Sequence, residues 1–139
     1  MSNSIDVDIA VLNRIASDAT LKTIMPDGTW WKVSASGKTR VVLLDLLHHE
    51  VTEMQGAIAY EQMLYLVKAV EYSQSGLNVI NAAKRIQALL LDAVFPITGY
   101  TVMRIQLSEL VHYAEPDSAN PDQRWQHCGA VYRVSVSPN

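Results

Sequence analysis

Cysteine is nearly absent from this chain of 139 residues: Cys128 stands alone, so no intrachain disulfide can form. A single thiol favours folding in a reducing, intracellular compartment and by itself implies no chemistry. Basic residues are scarce as well. Eleven Lys plus Arg face fourteen Asp plus Glu, for a net charge of −3 without a basic block, which argues against tight wrapping of a phosphate backbone. Long apolar runs are missing too, and none reaches the roughly 20 residues that a membrane-crossing helix needs. The opening MSNSIDVDIA has neither a basic flank nor an apolar stretch of signal-peptide length. The expectation is a soluble chain with no targeting leader and no membrane partner. Internal repeats, low-complexity tracts and linker-like segments are also lacking. One domain over residues 1–139 is expected, burying roughly two-thirds of its unfolded surface.

The stretch from Tyr60 to Leu91 organises the rest. Leu64, Leu66, Lys68 and Val70 alternate with Tyr65, Val67, Ala69 and Glu71 as in a strand, and then a repeat near 3.6 takes over. Ser73 or Ser75 can accept a hydrogen bond from an early helical N–H, and Gly76 tolerates the turn. Leu77, Ile80, Ala83, Ile86, Leu90 and Ala93 then predict the apolar stripe, with Asn78, Asn81, Lys84, Arg85 and Asp92 largely outside it.

Upstream, Ile5, Ile9, Leu12 and Ile15 predict a helix from about Asp6 to Ser17, with Ser4 as its cap. Asp18 can cap one more turn carrying Leu21 and Ile24, which Pro26, Asp27 and Gly28 end. The segment TWWKVSASGKTR reads as a surface loop. Either one tryptophan packs on the core while the other covers a loop, or Trp30 and Trp31 form a contact surface, where tryptophan is enriched. A strand from Arg40 to Val51 is apolar on both faces, with Val42, Leu44 and Leu46 on one and Val41, Leu43 and Leu47 on the other. Such a strand is either central in a curled sheet or covered by a partner subunit. A turn near Met54, Gln55 and Gly56 returns the chain into a long antiparallel hairpin.

Downstream, Phe95-Pro96 stops the helix and Thr98-Gly99 turns the chain. A half-solvated strand from Tyr100 to about Val111 follows, with Met103, Ile105 and Leu107 on one face and Arg104, Gln106 and Ser108 on the other. The run AEPDSANPDQ is expected to be a mobile loop or hairpin tip. A last strand spans Arg124 to Val136, where Gly129 marks a bulge or a close backbone approach. The order α-β-β-α-β-β predicts an α+β fold, with two helices packed on one face of a mainly antiparallel four-stranded sheet.

Motifs for chemistry are few. Gly37-Lys38-Thr39 looks like the end of a phosphate-binding loop, but Lys32 stands where that motif needs glycine, and a strand follows instead of a helix. His48, His49 and Glu50 are metal-ligand types, with His112 and His127 elsewhere. Strand neighbours point to opposite faces, so His48 and His49 cannot share a site, nor can Cys128 pair with His127 as thiolate and imidazolium. No serine sits in a nucleophile elbow, and no carboxylate pair is marked as an acid/base couple. No cofactor is expected. The enzyme alternative is a small metal-dependent or hydrolytic one using His48, His112 or His127.

Two stretches and the order of elements carry a resemblance. One is Tyr65-Leu66-Val67-Lys68-Ala69-Val70, the serine-containing turn, and Ala82-Ala83-Lys84-Arg85-Ile86 running to Leu90. The other is Trp125-Gln126-His127-Cys128-Gly129-Ala130-Val131-Tyr132-Arg133-Val134. Over nearly the whole chain the sequence resembles the phage tail terminator proteins, also called tail-completion or tail-to-head joining proteins, of long-tailed phages. Cys128 and Ala130 stand where the family has more glycine, and residues 29–39 have no counterpart. The resemblance implies a non-enzymatic virion protein of the tail or neck, made in the host cytoplasm. It implies a hexameric ring that caps the tail tube, ends its polymerisation and docks the head connector. Partners would be further copies of the chain, the tail tube protein and a head-completion or connector protein, with DNA passing through the lumen unbound. Three features fit: the doubly apolar strand wants a neighbour, the acidic loop can project, and net negative charge keeps DNA sliding. The subunit or partner interface is expected at Val41, Leu43, Leu47, Trp30, Trp31, Glu115, Asp117 and Asp122. Another neck or minor tail component of similar fold is the nearest alternative.

Overall fold

The computed structural model describes residues 3–92 and 94–139. Its elements run α1 (Ser4–Ala16), α2 (Ala19–Ile24), β1 (Thr29–Trp31), β2 (Arg40–Met54), β3 (Ala57–Ser73), α3 (Leu77–Leu91), β4 (Tyr100–Pro116) and β5 (Arg124–Pro138). The α+β class stands, while the strand count and element order differ from expectation. Five strands form one sheet in the order β1-β2-β3-β5-β4, antiparallel everywhere except the β1–β2 pairing.

The added strand is Thr29–Trp31, inside the segment expected to be a loop. Gly28 accepts a bond from the Val42 N–H, and the Lys32 N–H donates to Leu44, so the backbone on both sides of the tryptophans is tied to β2. The Asp27 carboxylate fastens the return by accepting the Thr39 and Arg40 N–H groups. A strand of three residues is too short to show a period, which is why its sequence reads as a loop.

Asn3, not Ser4, caps α1, accepting from the Ile5 N–H. The buried stripe is Val7, Val11 and Ile15, whereas Ile5 and Ile9 are 59% and 49% exposed. Both stripes have helical spacing, and polar anchors decide between them: Asp8 takes the Tyr65 hydroxyl, and Arg14 donates to the Leu89 carbonyl and lies over the Phe95 ring. Asp18 caps α2 as expected, accepting from the Leu21 N–H. It also holds the Arg85 guanidinium at 2.9 and 2.7 Å, and that bond keeps its carboxyl below the ordinary value.

In α3 the buried residues are Val79, Ala82, Ile86, Leu89 and Leu90. Leu77 is exposed and Ile80 and Ala83 only half-buried, so the helix is rotated from its expected stripe. Ala93 lies outside the described residues. Asn78, which donates to the buried Glu71, and Arg85 on Asp18 set that rotation. Gly76, at φ 66°, is the N-cap and has no side chain to cap with; Ser75 Oγ accepts the Leu77 N–H at 3.4 Å and Ser73 Oγ the Gly76 N–H at 3.5 Å, as the sequence predicts.

The helices and the sheet face with Val42, Leu44, Met63, Tyr65, Val67, Ala69, Ala130, Tyr132, Val134 and Val136 enclose one core. The hairpin turn falls at Gln55-Gly56, as the sequence predicts.

Candidate interaction surfaces

The strands are long, with 15 residues in β2 and β5 and 17 in β3 and β4. The helices account for one face of the sheet. On the other, residues from successive strands line up in rows. Val41, Val70, His127 and Tyr113 form one; Trp30, Leu43, Lys68, Gly129 and Val111 form the next; Asp45, Leu66, Val131 and Glu109 form a third.

Val41, Val70 and Val131 are buried on this face, outside the main core cluster. Part of the doubly apolar character of β2 is therefore satisfied within the chain.

Gly129 occupies the middle row because nothing larger fits. A Cβ there would lie 2.2 Å from the Val67 carbonyl oxygen and 2.5 Å from the Lys68 Cα. The expected close approach is present, and the pairing runs through Gly129 without a register break. The gap lets Lys68 and Tyr113 meet across β5, with Nζ donating to the hydroxyl at 2.8 Å and lying 5.3 Å from the ring centroid. Tyr113 stacks on His127, with centroids 4.3 Å apart, and Glu115 Oε1 reaches His127 Nε2 at 2.6 Å. His127 Nδ1 is buried and has no hydrogen-bond partner among the described residues. Burial, aided by the Lys68 charge, lowers the histidine pKa against the opposing pull of Glu115. The cluster therefore favours a neutral imidazole and fastens β4 across β5 to β3.

The histidines are distributed over both faces. His48 sits beside Glu50 at 3.3 Å, and His49 bonds the buried Glu61 at 2.8 Å. His112 pairs in register with Cys128 and lines a groove of about 200 Å³ with Ile80, Ala83 and Leu110. His127 faces away from that groove. Burial pushes the Cys128 thiol up, away from thiolate. Among the described residues no three His, Cys, Asp or Glu side chains converge on a metal-sized point.

The residues expected at an interface fall into separate places. Trp31 packs on the core, whereas Trp30 lies beside Leu43 and donates its indole N–H to the Asp27 carbonyl. Val41 is only 2% exposed. Leu47 is 50% exposed at a bulge between Leu46 and His48, which removes it from the regular alternation with Val41 and Leu43. Asp117 accepts the Tyr72 hydroxyl and the Ala119 N–H, and these bonds hold its carboxyl low. It shapes the tip, while Asp122 stays exposed and Glu115 keeps a largely exposed side chain beside His127.

Sequence reasoning placed the start of β4 at Tyr100 correctly but missed that it is an edge strand and that it continues past Val111. It runs on to Pro116, so the expected loop shrinks to residues 117–123. Bulges after Val102 and Leu107 break the alternation. Met103 is 57% exposed, not inward with Ile105, and Leu110 is 69% exposed. The distal half of β2 and the start of β3 also expose Val51, Met54 and Ile58. Composition gave no signal of the edge, since about half of the residues of β4 are apolar, as a half-solvated strand requires.

No protein-family model matches the sequence, and no curated protein matches it. Among solved structures, a chain described as part of the virion of a native gene transfer agent particle is similar. The TM-score is 0.68 at 14% identity, and the similarity covers 94% of each chain. At that identity the likeness is one of fold.

Proposed function

We propose that the chain is a structural component of a phage-type virion, a hexameric ring that caps the tail tube, ends its polymerisation and joins the tail to the head connector. The observation that carries this reading is a fold shared over nearly its whole length with a virion-particle chain. The exposed apolar strand edges fit a protein that works only when assembled.

In this reading Leu43, Leu47 and Trp30 face a neighbouring subunit, and Val41 supports them from beneath. Trp31 holds β1 in place. Asp122 and the outer side of Glu115 project toward the tube or the connector. The net charge of −3 lets DNA pass through the lumen without adhering. The role is non-enzymatic, in the tail or neck of the virion, and draws on no cofactor.

Light scattering behind a sizing column, with and without tail tubes, tests the reading. The expected result is a hexamer, or a 15.4 kDa chain that becomes a ring only when tubes are present, with capped tube ends visible by electron microscopy. A monomer indifferent to tubes would overturn it.

A further inference from the structure

We propose that copies of this chain join edge to edge: the outer edge of β4 in one copy pairs antiparallel with the outer edge of β2, from Asp45 to Met54, in the next. This rests on the ring reading above and names the two surfaces that meet. The edges are open for different reasons. β4 ends the sheet, with β5 as its one neighbour. β2 is flanked by β1 only at Val42, Leu43 and Leu44, so beyond them its outer side faces no strand among the described residues.

Monomeric sheets blunt such edges with lysine, proline, bulges or short strands; β4 bulges after Val102 and Leu107 but lacks the other three before Pro116. β4 has 17 residues, no lysine, and no proline before Pro116, and it exposes Met103, Leu107 and Leu110. Strands in globular proteins usually have about 3–10 residues.

Strand direction fixes the polarity. β2, β3, β5 and β4 alternate, so β4 runs opposite to β2. Copies rotated about an axis along the strands therefore bring β4 against a neighbour's β2 in antiparallel sense.

The register then supplies complementarity. Arg104 is level with Ser135, Ser135 with Gln62, and Gln62 with Glu50. If the sheet continues without stagger, Arg104 of one copy meets Glu50 of the next. Arg104 is the sole charged residue between Tyr100 and Ser108, while the free part of β2 carries Asp45, Glu50 and Glu53 and no Lys or Arg. By the same pairings Val102 is level with Val51, and Leu107 with Leu46. Two different edges make a heterologous contact, the kind that closes into rings.

Cysteine cross-linking tests the pairing. Directly opposed residues in antiparallel strands have Cα atoms roughly 4.5–5.5 Å apart, within disulfide reach. In a Cys128→Ser background, Glu50→Cys and Arg104→Cys proteins are assembled, oxidised and run on a non-reducing gel. The expected result is a cross-linked dimer when the two variants are mixed and none from either alone. Hydrogen exchange on the unmodified chain is expected to slow at 101–107 and 46–52 upon assembly. Rings that form without the mixed cross-link and with unchanged exchange at those edges would overturn the edge pairing and leave the ring reading intact. A monomer under every condition, tubes included, would overturn both.

Discussion

β4 and β5 pair from Tyr100 and Pro138 at one end to Pro116 and Arg124 at the other, yet their surroundings are opposite. β5 lies between β3 and β4 and is buried on both faces, with Tyr132, Val134 and Val136 toward the helices and His127, Val131 and Ser135 away from them. In β4 only Tyr100 is buried. Both strands are rich in apolar residues, so composition does not separate them; position in the sheet does. The apolar residues of β5 are explained by the chain's own core. Those of β4 are not, and their exposure directs attention outward.

The sharpest way to break this comparison is to truncate two residues that face each other across the pair. Tyr132 is fully buried, and its register partner Leu107 stands at the surface. Tyr132→Ala is expected to cost about 4 kcal/mol, as large-to-small changes of buried aromatics do. Leu107→Ala is expected to cost under about 1 kcal/mol. Urea denaturation of both variants decides it, and equal costs would mean that the strands are not so unlike. Gly129→Ala comes next. The added methyl would press on the Val67 carbonyl and the Lys68 backbone, neither of which can swing aside as a side chain does. A loss of about 3 kcal/mol is expected, again read by denaturant midpoint.

What was legible in the sequence follows the same division. The hairpin turn at Gln55-Gly56, the Asp18 cap and the tight site at Gly129 rest on local chemistry, and each is where the residues indicate. The rotations of α1 and α3 were not legible, because each helix offers two apolar stripes and partners on other elements choose between them: Tyr65 for Asp8 and Asp18 for Arg85, far apart in sequence, and Glu71 on the preceding strand for Asn78. In β4 the bulges reset the alternation, and no residue type marks where they fall. The Lys68, Tyr113, Glu115 and His127 cluster draws on three strands, so no spacing along the chain announces it.

That cluster is where β4 and β5 depend on each other, and pH sharpens the dependence. The folded chain holds His127 neutral to lower pH than the unfolded chain does, because burial and Lys68 outweigh Glu115. As pH falls below about 6.5, the unfolded state binds the extra proton and stability declines until the folded histidine also protonates. The slope from this group is at most about 1.4 kcal/mol per pH unit. Denaturation between about pH 7.5 and 5 should show His127→Gln with a shallower decline than the natural chain. Parallel curves would mean that His127 does not couple the strands through its charge.

The smallest expected effect on stability carries the largest on assembly. Met103 is the residue passed over at the first β4 bulge, exposed and outside the core cluster. Met103→Lys should leave folding stability within about 0.5 kcal/mol of the natural chain. Yet lysine on an edge strand is a device by which sheets refuse another strand, since pairing would strip water from its ammonium group. Mass measured across concentration, with and without tubes, should therefore stay at the monomer where the natural chain forms rings. The same lysine at Val134, buried in β5, would unfold the chain before assembly could be asked about. If Met103→Lys protein assembles as readily as the natural chain, the exposed apolar residues of β4 are not what the next subunit meets, and the contrast between the strands describes burial alone.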